Sequence, residues 1–266
     1  MVFVAIACVV VLWGLSTALI FYLDSLPTRT FPWSMAAATL VLAVCGVAMW
    51  QLRDVQSVHA IAASFAAGLL AWGWTEMSLY MGYITGPRKH RCAEGCSGAS
   101  HFGHAVSANL WHELVVIAFA VLIWLSGNET ALWCYVMLWL MHLSARLNVF
   151  LGVRNVSAEF VPAHMEVLKG FLRRRNMNAL FPFSCILLLA LTIYLVSLPQ
   201  TFSITMAATL AAIGLLEHVL LMLPLPIERM WHWSLSPEAR PQGAQENEQH
   251  HNKKIPLQRT VLGVLS

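Results

Sequence analysis

Charge is what this sequence has least of. Aspartate, glutamate, lysine and arginine make up 11% of its 266 residues, against 58% for the apolar class. A soluble domain is about one quarter charged, so this chain lacks the polar surface that an ordinary water-soluble enzyme needs. A glycine-rich phosphate loop and a nucleophile elbow are also missing, which removes common nucleotide-binding and hydrolase chemistries. Nor do basic and aromatic residues interleave, so no nucleic-acid partner is expected. Cysteine is sparse where it could pair. Cys8, Cys45, Cys134 and Cys185 lie in apolar runs, where they read as small hydrophobes, and only Cys92 and Cys96 occupy a polar loop.

What the chain does have is length of apolar sequence. A membrane-crossing helix needs about 20 mostly apolar residues. Such runs occur near 2–23, 33–52, 58–84, 107–126, 130–152, 178–198 and 203–224. The sequence therefore predicts an all-α, polytopic membrane helix bundle over 1–235, with about seven transmembrane helices. A mobile polar tail is expected over 236–266. The first run has no basic stretch before it and no small-residue cleavage site after it, so it reads as a retained helix. Membrane lipid is the first partner implied.

The basic residues orient the bundle. With seven crossings, Arg29, Arg88, Lys89, Arg91, Arg154, Lys169, Arg173, Arg174, Arg175 and the tail share one side. Arg53 is left alone on the other. The positive-inside rule makes the rich side cytoplasmic, with the N-terminus outside and the C-terminus inside. Six or eight crossings would scatter these charges over both faces. The stretch Asn155–Asn176 mixes charges with Phe160, Val161, Leu168, Phe171 and Leu172, which suits either an amphipathic segment on the cytoplasmic surface or a plain basic loop. Its Glu159 and His164 are candidate partners for buried polar groups.

Ionisable side chains in hydrocarbon cost at least ~2.5–3.5 kcal/mol each, yet several sit inside the runs. They are Glu76 in the third, His112 and Glu113 in the fourth, His142, Arg146 and Asn148 in the fifth, and Glu217 and His218 in the seventh. At ~1.5 Å of rise per residue, Glu76, Glu113, Arg146 and Glu217 all fall roughly 10–15 Å in from the basic side. Four helices bring them to one layer. One reading is a metal centre, with Glu76, His112, Glu113, Glu217 and His218 as ligands for iron or manganese. The Glu-x-x-His pair of di-iron bundles is absent, and adjacent Glu-His positions lie about 100° apart on a helix. The other main reading is a buried polar network in which Arg146 and the histidines partly neutralise the carboxylates. Axial histidine ligands to a pigment magnesium, or a proton path, are further alternatives.

The loop Arg91-Cys92-Ala93-Glu94-Gly95-Cys96, followed by His101-Phe102-Gly103-His104, offers a Cys-x3-Cys and a His-x2-His in one short stretch. Four such donors suit zinc, at an unusual spacing. Basic histidine-rich loops are also common at membrane surfaces.

Several strings carry a family likeness. Thr75-Glu76-Met77-Ser78, Thr85-Gly86-Pro87-Arg88 and Trp111-His112-Glu113-Leu114 resemble the PuhE-type photosynthetic complex assembly proteins of phototrophic bacteria. So do Ser144 to Val153, Glu159-Phe160-Val161-Pro162, Asn176 to Pro182, Leu216-Glu217-His218 and Leu223-Pro224-Leu225-Pro226. The resemblance implies a process and no set catalytic step: assembly of the reaction centre and light-harvesting antenna in the bacterial inner membrane, with those proteins as partners and bacteriochlorophyll as a possible ligand. It carries over Glu76, His112, Glu113, Arg146, Asn148, Glu159, Glu217 and His218 as motif positions. His142 departs from the family pattern, which argues against it as an essential ligand. The rival reading is a membrane oxidase or hydroxylase with a carboxylate–histidine metal centre, acting on pigment or lipid. A transporter is disfavoured, because paired broken helices are not evident.

Overall fold

The computed structural model of the chain describes residues 1–90, 92, 96–155 and 166–223. Glu159, His164 and the tail over 236–266 lie outside the described residues, as does most of the first half of the expected amphipathic segment. Among the described residues, seven helices are long and apolar enough to cross a membrane. They are α1 (Val2–Asp24), α2 (Phe31–Leu52, entered through a 3-10 turn at Thr28–Thr30), α3 (Val58–Tyr80), α4 (Gly98–Ser126) and α5 (Glu129–Leu151), then α7 (Leu180–Ser197) and α8 (Phe202–Leu220). A single helical turn, α6 (Glu166–Lys169), lies between α5 and α7. The chain is a multi-pass, all-helical membrane protein.

Two ends differ from the sequence expectation. α3 stops at Tyr80, because Gly82 adopts a left-handed φ of 82° and the chain turns back. Gly82 N–H donates to Leu79 O and Tyr83 N–H to Ser78 O, the paired bonds of a Schellman cap. α4 starts at Gly98, well before the expected 107, so His101 and His104 are helical and not part of the loop. Between α5 and α7 the described residues form one helical turn and an extended stretch. Val153 pairs with Arg174 in a parallel bridge, and Arg175 N–H donates to Val153 O. Phe171 is buried there while Arg174 and Arg175 are exposed, so the described part of the segment is two-faced.

α3 is the central helix, packing against α1, α2, α4, α5 and α8; α7 lies at the edge against α8 and α5. Lipid is as apolar as leucine, so apolar contact alone does not drive such helices together; close approach and polar bonds do. Gly68 of α3 lies against the Ala131 backbone of α5, and Gly214 of α8 lies under Met141 of α5, each so closely that an added Cβ would collide. Asn128 caps α5 through Ala131 N–H and donates to Met49 O and Ser64 Oγ, tying α2, α3 and α5 at one end. Large apolar side chains such as Leu40, Leu125, Phe183 and Leu187 face outward. Trp33 and Trp50, near the ends of α2, are exposed as interfacial anchors would be.

The connections sort by charge. Thr85, Arg88 and Lys89 share a cavity with Val167 and Leu168 of α6, and Asn155 N–H reaches Leu221 O beyond α8. Phe31, just after Arg29, packs on Met77 and Met81. The basic connections thus gather at one end of the bundle. At the other end Arg53 pairs with Asp54 at 3.2 Å and lies 4.0 Å over the Trp50 ring.

Candidate functional site

Near the basic end, α3, α4 and α5 meet around one guanidinium. Arg146 of α5 donates from Nη1 to Glu113 Oε1 of α4 at 2.7 Å and lies 3.5 Å from Glu76 Oε1 of α3. Its Nε donates to His142 Nε2 at 2.7 Å, one helical turn back. Arg146 Nη2 is 3.1 Å from His112 Nε2. A guanidinium only donates, so His112 Nε2 is the acceptor and its proton lies on Nδ1. That Nδ1 is buried with no hydrogen-bond partner, and Glu76 Oε1, despite its charged neighbours, also accepts no hydrogen bond. Glu76 Oε2 lies 3.3 Å from His142 Nε2, and Trp139 Nε1 donates to Glu113 Oε2 at 3.3 Å. Two ionised carboxylates and one guanidinium leave one net negative charge. A single proton on Glu76 makes the group neutral, because the Nε2 atoms of His112 and His142 both face guanidinium donors of Arg146.

Burial is uneven across this cluster, and the unevenness gives it a direction. Glu76 and His112 are 7% and 1% exposed at the side chain, whereas Arg146, Glu113 and His142 are 24%, 27% and 29% exposed. The charged group is therefore closed toward α3 and open between α4 and α5. The α3–α4 connection holds α4 in place beside it. Thr85 O accepts from His112 N–H at 2.9 Å, and Gly86 sits so tightly on the Ser107 and Ala108 backbone that a Cβ would clash.

A second polar cluster joins α5, α7 and α8. His218 Nε2 is 3.0 Å from Ser144 Oγ, and its Nδ1 is 2.8 Å from Gly214 O. With His218 Nδ1–H donating to Gly214 O, Nε2 accepts from Ser144 Oγ; Ser144 Oγ and Ser184 Oγ are 3.0 Å apart, and Asn148 Nδ2 donates to Ser184 Oγ at 2.9 Å. Asn178 then closes the end of α5 by donating to Asn148 O and Gly152 O. Nothing in this set needs a charge.

The five residues expected as one ligand set consequently fall in three places. Glu76, His112 and Glu113 meet around Arg146; His218 belongs to the neutral cluster with Asn148; Glu217 is exposed on α8. Among the described residues the Glu217 carboxylate makes no hydrogen bond or ion pair. The correction is one of azimuth, since depth along a helix does not say which way a side chain points. An iron or manganese centre does not fit this arrangement. The cation position between Glu76 and Glu113 is filled by Arg146, and the remaining two donors are on other faces. His218 has both ring nitrogens bonded within the protein, and His112 Nε2 faces Arg146, leaving only its buried Nδ1 without a partner. His142, set aside by the family pattern, is part of the charged cluster. Trp139, Ser144, Asn178 and Ser184 were not singled out by sequence.

The polar loop behaves differently from the zinc expectation in one respect. Cys92 Sγ and Cys96 Sγ lie 3.2 Å and 3.4 Å from His104 Nδ1, and the three donor atoms are all within 4.8 Å of one another. His101 does not join them. It is buried between Phe150 and Phe171, with ring centroids 5.4 Å and 5.2 Å away, and neither ring nitrogen has a hydrogen-bond partner. Partial burial and the neighbouring Cys96 push the Cys92 thiol above its ordinary value, against a weaker downward pull from the Arg88 guanidinium.

Relatives frame this geometry. The chain is 33% identical over 200 residues to a Rhodobacter capsulatus protein described as an uncharacterized 30.4 kDa protein in the puhA 5′ region, covering 71% of this chain and 73% of that one. No solved structure matches it. Residues 1–242 match the family described as Protein of unknown function (DUF3623), and the chain belongs to that family.

Proposed function

We propose that this protein is an assembly factor of the PuhE type for the bacterial photosynthetic apparatus, without catalytic activity of its own. In this reading the open side of the charged cluster, between α4 and α5, receives a transmembrane segment of a reaction-centre or antenna subunit. The observation that carries it is the ion pair Arg146–Glu113, held inside the bilayer yet about one quarter exposed on each side chain. An ionisable pair at that depth is costly to keep and marks a working surface by default. The puhA region named for the Rhodobacter capsulatus relative supports the process, in agreement with the PuhE-type likeness of the motif strings. The basic end faces the cytoplasm, with the N-terminus outside.

The test is complementation. In Rhodobacter capsulatus lacking the relative, membranes should contain less reaction-centre and antenna absorbance, and this chain should restore it. Arg146→Gln should fail to restore it while still being found in the membrane. Tagged wild-type protein should co-purify with reaction-centre or antenna subunits. Unchanged complex levels in the deletion strain would sink the proposal. About two irons per purified chain, or bacteriochlorophyll absorbance in the purified protein, would replace it with the oxidase or the pigment-handling reading.

A further inference from the structure

We propose that Cys92, Cys96 and His104 form a zinc site that clamps the α3–α4 loop onto the first turns of α4. The site stands apart from the charged cluster and does not depend on the proposed function. Three donors converge: two sulfurs 3.2 Å and 3.4 Å from one imidazole nitrogen, all three atoms within 4.8 Å. A tetrahedral ion with Zn–S of about 2.3 Å and Zn–N of about 2.0–2.1 Å separates neighbouring donors by roughly 3.6 Å. Each sulfur–imidazole pair therefore needs to move apart only by tenths of an ångström, and the two sulfurs, within 4.8 Å of each other, have to settle at roughly 3.8 Å.

The chemistry of the set selects the metal. Thiolate and imidazole together favour zinc over magnesium or calcium, which take oxygen donors, and a tetrahedral ion without redox chemistry suits a clamp. On binding, each thiol gives its proton to solvent and the sulfur's electron pair to the metal, so two protons leave for every ion bound. Among the described residues no fourth histidine, cysteine or carboxylate joins the three. The fourth position is open to water or a small anion, as in zinc sites with three protein ligands. His101, the other histidine of the motif, is removed from the set by its place between Phe150 and Phe171.

The rigid part of the site is His104, which is fixed on α4; the cysteines come from the loop that follows Thr85 and Gly86. Metal binding would thus hold a segment bearing Arg88 and Lys89 against the helix that carries His112 and Glu113.

The full chain, purified in detergent under reducing conditions, should carry about one zinc per chain. Replacing zinc by cobalt should give tetrahedral visible bands with thiolate charge transfer. Cys92→Ser and Cys96→Ser should each lose about half of the charge-transfer intensity and bind zinc at least about tenfold more weakly in competition with a chromophoric chelator. His104→Gln should weaken binding similarly, while His101→Gln and His59→Gln should not. Chelation of the wild type should speed tryptic cleavage after Arg88 and Lys89. Wild-type protein without stoichiometric zinc or cobalt would overturn the proposal, and this readout needs no variant to fold. Zinc content indifferent to Cys92→Ser, or a Cys92–Cys96 disulfide trapped by alkylation in cells, would overturn it equally.

Discussion

α5 carries two polar clusters on opposite faces, and they are built from different chemistry. Trp139, His142 and Arg146 face α3 and α4, while Met141, Ser144 and Asn148 face α7 and α8. Residues two apart, such as 142 and 144, lie about 200° around the helix from each other. The first face uses full charges and leaves them partly open; the second uses hydroxyls, amides and a neutral imidazole, with Asn148 and His218 at 0% and 1% exposure. A neutral network in lipid is a fastener, since each bond satisfies a group that has no water to turn to. Charges kept open on one side at the same depth do more than fasten in the reading proposed above, where they form the surface that meets a partner helix. The same helix supplies both, and its two faces answer to different requirements.

Breaking each face separately tests that contrast. Arg146→Met should have the largest effect, destabilising the bundle by about 3–5 kcal/mol, because it strands Glu76 and Glu113 without their cation. Denaturant unfolding of the full chain in mixed micelles measures it, and a second change, Glu113→Gln, should recover part of the loss. On the other face Gly214→Val should cost about 1–3 kcal/mol in the same assay by forcing Met141 off α8. Ser184→Ala should cost only about 0.6 kcal/mol, and no more than about 1.7, the range of single hydrogen bonds between membrane helices. If Ser184→Ala proved as damaging as Arg146→Met, the division between the two faces would be wrong. Glu217→Gln should cost less than about 0.5 kcal/mol and relieve the expense of an ionisable group facing lipid, since among the described residues its carboxylate has no hydrogen bond or ion pair to lose. A larger loss there would mean that the carboxylate has work on the outer face of α8.

The sequence revealed more about depth than about direction. Apolar runs located all seven helices, because hydrophobic length is the one property the bilayer demands of each. Rise per residue then placed Glu76, Glu113 and Arg146 in one layer, and they do meet. The same ruler placed Glu217 at that depth, but His218 took the inward face about 100° away and turned the carboxylate outward. Helix phase also decided the loop motif. Once α4 begins at Gly98, His104 meets the cysteines while His101 is carried round to Phe150 and Phe171. Other parts left no mark in residue type. The acceptor that Thr85 offers to α4 is a backbone oxygen, and any residue has one. Ser184 looks like an ordinary small residue in an apolar run until Asn148 and Ser144 are seen to reach it.

The Thr85–His112 bond has a mechanical consequence. Together with the contacts of Cys92 and Cys96 to His104, it makes the loop a bracket bolted to one beam at two points, eight residues or about 12 Å apart along α4. The stretch of α4 between the bolts cannot bow without dragging the bracket along. The inner of the two points is a backbone bond at His112, the residue next door to Glu113.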